Sequence, residues 1–169
     1  GQTATKTARV VKRAVGGVFF IDEAYSLMGD NFGQEATNTI LPMLLDYKGK
    51  MVCIAAGYPR EIRQWIDTNS GLESRFTKVI HFEDYNPDEL AQIFRMKAKK
   101  DKLTLTPEAE NAMRVYFTDL YNRRERNFAN AREVNNYFDR VKKNQSSRLR
   151  HEMERPDFDP ASYSILLPE

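Results

Sequence analysis

The sequence predicts an α/β unit with parallel strands, followed by a small all-helical unit. Three observations predict it. Two apolar runs without polar alternation, Val18-Phe19-Phe20-Ile21 and Met51-Val52-Cys53-Ile54-Ala55-Ala56, each follow a helical segment. Unbroken runs of this length suit strands buried on both faces of a parallel sheet. Beyond residue 85, apolar residues recur at helical spacing through three successive segments. Charge shifts in step: residues 1–87 carry 10 basic and 10 acidic side chains, residues 88–150 carry 15 and 9, and residues 151–169 carry 1 and 5. The chain accordingly divides into an α/β part over 1–84, a helical part over 85–150 and an acidic tail over 151–169.

Thr3 to Arg13 is a short polar and basic helix, separated by Gly16-Gly17 from the first strand. Gln34 to Tyr47 places Ile40, Leu41, Leu44 and Leu45 on one helical face, with Pro42 set to kink or break it. Gly57-Tyr58-Pro59 closes the second strand, and Val79-Ile80-His81-Phe82 is a candidate third. Asn86-Pro87-Asp88-Glu89 then reads as an N-cap, a first-turn Pro and a capping-box Glu, with Leu90, Ile93 and Phe94 following. Thr106-Pro107-Glu108 repeats the start signal, and Ala109, Ala112, Met113, Tyr116, Phe117 and Leu120 form its stripe. A third helix beginning near Ala129 carries Val134, Tyr137, Phe138 and Val141. After about residue 150 periodicity fades, and Pro156 and Pro160 predict an extended tail that docks weakly or not at all.

Composition narrows the class. No apolar run approaches the ~18 residues of a bilayer span. The single cysteine, Cys53, excludes internal disulfides and Cys-rich zinc sites and fits a reducing cytoplasm. Mid-strand, it reads as an inert core thiol. His81 and His151 stand apart from any second ligand at metal spacing. Gly1 is preceded by neither an initiator Met nor a signal-peptide pattern, and the chain reads as a piece of something longer.

The chemistry begins where the first strand ends in Asp22-Glu23. A buried strand delivering two adjacent carboxylates to its carboxyl end suits magnesium-nucleotide hydrolysis, one serving Mg²⁺ and the next the attacking water. An acidic turn with no catalytic role is the alternative.

The stretch Gly17 to Tyr25, with Thr3-Ala4-x-Lys6-Thr7 before it and Ala56-Gly57-Tyr58 after it, resembles the AAA+ ATPases of the group containing red-type Rubisco activase and stage V sporulation protein K. Gly71-Leu72-Glu73-Ser74-Arg75-Phe76, Asp84-Tyr85-x-Pro87-Asp88-Glu89-Leu90 and Asn130-Ala131-Arg132 follow in the family's order. The resemblance implies the C-terminal part of the family's α/β domain, with a partial parallel sheet and flanking helices, and then the helical lid. It implies ATP and Mg²⁺ as cofactors of a whole protein that forms a homo-oligomeric ring, expected to be a hexamer, and remodels a protein partner.

By the same resemblance, Asp22 and Glu23 are the Walker B pair, with Asp22 on Mg²⁺ and Glu23 polarising the hydrolytic water. Tyr58 falls at the sensor 1 position, commonly Asn; an amphipathic residue at a sheet edge is its alternative. Arg75 corresponds to the arginine finger offered to the neighbouring subunit's nucleotide, and Glu73 stands where some relatives carry a second basic residue. Arg132 corresponds to the sensor 2 arginine. A surface cation is the alternative for both. The pore-loop aromatic of the group is absent from these residues.

A phosphate-cradling loop, Gly-x-x-x-x-Gly-Lys-Ser/Thr between a strand and a helix, is also absent. Gly1-Gln2-Thr3-Ala4-Thr5-Lys6-Thr7 lacks the second Gly and a preceding strand, and ends only 15 residues before Asp22. The 169 residues alone are therefore expected neither to bind nor to hydrolyse ATP efficiently. Two other classes remain: a nucleic-acid module using Arg123-Arg124-Glu125-Arg126-Asn127-Phe128, and a domain that only packs against other subunits. A half-domain also leaves part of its sheet uncovered, so exposed apolar surface is expected.

Overall fold

In a computed structural model, which describes residues 1–125 and 128–168, the chain forms two units, Gly1–His81 and Phe82–Glu169. In the first, helix α1 (Thr3–Arg13) leads through Gly16, at φ 88°, into strand β1 (Val18–Ile21). Strand β2 (Val52–Ala55) lies parallel to it, pairing Val18 with Val52, Phe19 with Cys53, Phe20 with Ile54 and Ile21 with Ala55.

Side chains alternate across a strand, so this register puts Phe19, Ile21, Cys53 and Ala55 on one face. Val11, Ile40 and Met43 pack against Phe19 and Ile21, while Leu41, Trp65 and Leu72 pack against Ile21 and Ala55. Val18, Phe20, Val52 and Ile54 occupy the other face and are exposed. The expectation of strands buried on both faces is thus corrected. All the helices packed on this sheet cover the same face, and the second face is the exposed apolar surface expected of a partial sheet.

Between the strands, a 3₁₀ turn (Ala24–Met28) leads to helix α2 (Asn31–Asp46). Asp30 caps α2 by accepting the Gly33 N–H at 2.8 Å, so the helix starts before Gln34. Gly33 must be glycine, because a Cβ there would lie 2.4 Å from the Leu27 carbonyl oxygen. Pro42 neither breaks nor ends α2. Ile40, Leu41 and Met43, buried on both sides of it, hold the helix against the core. Leu45 is 60% exposed, a correction to the expected stripe, since at 3.6 residues per turn it falls past the edge of the arc set by Gly33, Ala36, Thr37, Ile40 and Leu41. Helices α3 (Pro59–Asp67) and α4 (Ser70–Arg75) complete the unit.

Val79-Ile80-His81-Phe82 is not a strand. The stretch is apolar at three of its four positions but hydrogen-bonds to neither β1 nor β2, and Phe82 is 86% exposed.

The second unit is built from α5 (Pro87–Lys100), α6 (Pro107–Asn122) and α7 (Ala131–Glu152). The capping box at Asn86 forms in full: Asn86 Oδ1 accepts the Glu89 N–H at 3.0 Å, and Glu89 Oε2 accepts the Asn86 N–H at 2.8 Å. Thr106 caps α6 through the Ala109 N–H. The predicted stripes converge on Phe94, whose ring meets those of Phe117, Tyr137 and Phe138 at centroid distances of 6.2, 5.5 and 5.2 Å. Phe94 is 1% exposed. We predict that Phe94→Ala destabilises this unit by about 3–5 kcal/mol, read as lost hydrogen-exchange protection of the α5–α7 amides.

The reading of a weakly docked tail is also corrected. Strands β3 (Thr104–Leu105) and β4 (Ile165–Leu166) pair in parallel, and Leu166 is buried in the core with Phe94 and Met113. Gln145, itself buried, donates from Nε2 to the carbonyls of Tyr163 and Ile165, at 3.1 Å each. Arg148 Nη2 donates to the Ile165 carbonyl at 3.2 Å. Helix α7 carries both side chains and runs on to Glu152.

Candidate functional site

Because β1 and β2 run parallel and in register, both chains leave the sheet at the same edge. Ligands of parallel α/β sheets bind beyond that edge. The Ala56 N–H donates to the Ile21 carbonyl at 2.9 Å and the Ala24 N–H to the Ala56 carbonyl at 3.0 Å. These bonds bracket Asp22 and Glu23. Asp22 Oδ1 accepts the Glu23 N–H at 3.1 Å. Glu23 adopts φ 48°, ψ 48°, a left-handed conformation that costs a non-glycine residue about 1–3 kcal/mol. Both carboxylates are exposed, and neither makes an ion pair among the described residues.

Tyr58 emerges at the same edge, after β2. Its ring stacks on that of Tyr25, centroids 6.4 Å apart and planes inclined by 29°. Tyr25 is half-buried, and desolvation, then the nearby Glu23 charge, push its phenol above the ordinary range, which keeps it a donor. Sequence reasoning missed Tyr25 as a site residue. Its signals were its place two residues after Glu23 and the Gly57-Tyr58 pair facing it across the sheet.

Arg75 ends α4 half-buried against α2. Its Nε donates to the Leu41 carbonyl at 2.8 Å, and its Nη1 to the Gly71 carbonyl at 2.9 Å and to Ser74 Oγ at 3.1 Å. These bonds fix the guanidinium plane and leave the Nη2 edge for another group. Among the described residues Arg75 pairs with neither Asp22 nor Glu23.

Arg132 belongs to the second unit, exposed in the first turn of α7. The Asn130 side chain does not cap that helix: its Oδ1 accepts the Tyr85 N–H at 2.7 Å, and its Nδ2 donates to Asp84 Oδ1 at 2.6 Å. Asn130 thereby ties the Asp84-Tyr85 motif to the Asn130-Ala131-Arg132 motif. A cation at a helix N-terminus opposes the macrodipole, so Arg132 adds to a positive spot that suits an anion such as phosphate.

The test of fit for Mg²⁺ at this edge is the donor set. Mg²⁺ keeps several waters and takes one or two carboxylates together with substrate phosphates. Two exposed carboxylates at a strand end meet that need. No group of three His, Cys, Asp or Glu residues among the described residues could form an all-protein metal cage. Burial pushes the Cys53 thiol up to about 11, which keeps it an unreactive thiol. Of the basic run near the end of α6, Arg123 pairs with Asp119, and Arg124 binds Asp84 and lies over the Tyr121 ring at 3.6 Å. Arg126 and Asn127 lie outside the described residues. The cations of a phosphate-tracking surface are here partly committed within the unit.

A parallel α/β layer ending in an acidic pair, followed by a three-helix unit, is the architecture of one class of nucleotide-driven machine. The chain belongs to the AAA+ ATPases: residues 86–169 match the model of the AAA lid domain. Among curated proteins it is 40% identical over 153 residues to protein CbbX of Cereibacter sphaeroides, covering 88% of this chain and 49% of CbbX. It is 39% identical over 154 residues to the chloroplastic ribulose bisphosphate carboxylase/oxygenase activase of Cyanidioschyzon merolae, covering 88% of this chain and 52% of that protein. ESX-1 secretion system protein EccA1 of Mycobacterium tuberculosis is 44% identical over 115 residues, 64% of this chain and 20% of EccA1. The chain thus spans about half the length of the first two relatives. No helix among the described residues is long and apolar enough to cross a membrane.

Proposed function

We propose that these residues are the Walker B, sensor and lid portion of a ring-forming ATPase that couples ATP hydrolysis to remodelling of a protein partner. The observation that carries the reading is the shared sheet edge, where the β1–β2 register brings Asp22, Glu23 and Tyr58 together. The phosphate-binding loop would come from residues outside this sequence, in the other half of a protein the length of the relatives. Without it, the 169 residues bind ATP poorly.

In the whole protein, Asp22 would hold Mg²⁺, and Glu23 would orient the attacking water and draw on its proton. Bound there with the nucleotide, Mg²⁺ would supply charge neutralisation at the phosphates. Tyr58 offers a hydroxyl toward the same edge, in place of the usual sensor 1 amide. Arg132 contacts the phosphates from the lid, and Arg75 serves the nucleotide of the neighbouring subunit. A homo-oligomeric ring, expected to be a hexamer, follows from that last role. A protein target is in keeping with the relative named as an activase of a carboxylase.

The test uses the full-length protein. ATP turnover with Mg²⁺ is expected, and Arg132→Ala is expected to weaken ATP binding about tenfold by calorimetry, the loss of one charge-assisted phosphate contact. Absence of turnover would overturn the reading, and unchanged affinity would remove Arg132 from the site.

A further inference from the structure

We infer that Asn130 is a positioning residue for Arg132: its side chain pins the start of α7 to Asp84 and Tyr85, and so fixes where the lid arginine stands. The inference rests on the reading of Arg132 as a phosphate contact. The backbone at Asn130 is one that suits a different residue. It adopts φ 48°, ψ −124°, which glycine takes up freely and an L side chain rarely does. Such conformations persist only where the surrounding structure imposes them. Nor is Asn130 an ordinary cap, for its side chain makes no capping hydrogen bond to α7. Both ends of its amide turn to a distant pair instead: Oδ1 accepts the Tyr85 N–H at 2.7 Å, and Nδ2 donates to Asp84 Oδ1 at 2.6 Å.

Asp84 is itself anchored. Its Oδ2 lies 3.6 Å from Arg124 Nε, and Arg124 Nη1 donates at 2.8 Å to the carbonyl of Tyr121, in the last turn of α6. The first turn of α7 is built on that anchor. The Glu133 N–H donates to the Asn130 carbonyl at 3.0 Å, and the Arg132 N–H to the Ala129 carbonyl at 2.9 Å. Arg132, exposed, thus leaves a backbone that is held at Asn130 from outside the helix. A binding side chain loses less freedom on meeting its ligand when its backbone is already placed.

The experiment measures ATP affinity by calorimetry in the full-length protein. Asn130→Ala removes both bonds and is expected to weaken binding about fivefold. In the Arg132→Ala background the same change is expected to cost less than about twofold, because the group being placed is gone. Asn130→Gly separates positioning from turn formation. Glycine suits this backbone, so its melting temperature is expected to be no lower than that of Asn130→Ala, while affinity falls by about the same fivefold. Asn130→Asp sets a carboxylate against Asp84 and is expected to cost at least as much. Adding Asp84→Asn reverses donor and acceptor across the pair, and is expected to bring affinity back to within about twofold of the parent.

Asn130→Gly binding ATP like the parent would make Asn130 a turn residue and overturn the inference while leaving Arg132 in its role. So would an equal loss from Asn130→Ala with and without Arg132, or a donor–acceptor reversal that recovers nothing. Unchanged affinity in Arg132→Ala would instead overturn the reading of Arg132, and the inference with it.

Discussion

Replacing Arg75 by Ala in the full-length protein is expected to lower ATP turnover about a thousandfold or more, the scale of an arginine supplied to phosphoryl transfer from outside the site. The structure also gives Arg75 a local role, because it donates to the carbonyls of Leu41 and Gly71. Losing those bonds costs about 1–2 kcal/mol of stability, too little to explain a thousandfold loss in a protein that remains folded. Arg75→Lys is expected to fail nearly as badly, since an ammonium cannot reproduce a fork that uses Nε and Nη1 locally and presents Nη2 elsewhere. Mixed assemblies give the decisive measurement. An Arg75→Ala subunit keeps Glu23, and a Glu23→Gln subunit keeps Arg75. If Arg75 acts across a subunit boundary, the mixture hydrolyses ATP faster than either variant alone. A mixture no faster than its parts, with ring size unchanged, would remove Arg75 from the neighbouring subunit's site.

How much of this could be read from the chain depends on where each signal resides. Helix starts are local: Asn86 and Glu89 satisfy each other's backbone N–H groups three residues apart, so α5 was legible from four letters. Strands are less so. Val18–Ile21 and Val79–Phe82 carry similar apolar signals, yet only the first finds a neighbouring strand, and pairing is a property of two segments. Nor does an unbroken apolar run say which face will be covered, which is why Phe20 and Ile54 were expected inside and are exposed. The final strand was hidden for a related reason. Ile165–Leu166 follows a Pro-interrupted stretch without periodicity, and it docks because Leu166 fills space beside Phe94 and because Gln145 and Arg148 reach its carbonyls. At the site, Asp22 and Glu23 were legible as carboxylates at the end of an apolar strand. Tyr25 was not, because its relation to Gly57 and Tyr58 arises only from the register of β1 against β2.

Glu23→Gln is expected to lower kcat by about 10²–10⁴ while leaving ATP affinity within a few-fold, the mark of a group that acts on the attacking water rather than on nucleotide binding. The substitution is close to isosteric, so the change isolates the carboxylate's charge and basicity. Backbone strain supplies a second, independent test. Glu23 is one of only three non-glycine residues at positive φ among the described residues, beside Lys102 and Asn130. Glycine relieves about 1 kcal/mol or more of that strain and adds a comparable entropic cost to folding, so Glu23→Gly should leave stability within about 1 kcal/mol of the parent. A residue kept for the fold would lose stability when its side chain is removed, whereas one kept for chemistry would lose only turnover. Thermal melts of Glu23→Gly beside its ATPase rate separate the two. An unchanged melt with turnover lost makes the left-handed turn at Asp22-Glu23 a strain borne for catalysis, and a collapsed melt would make Glu23 a structural turn residue.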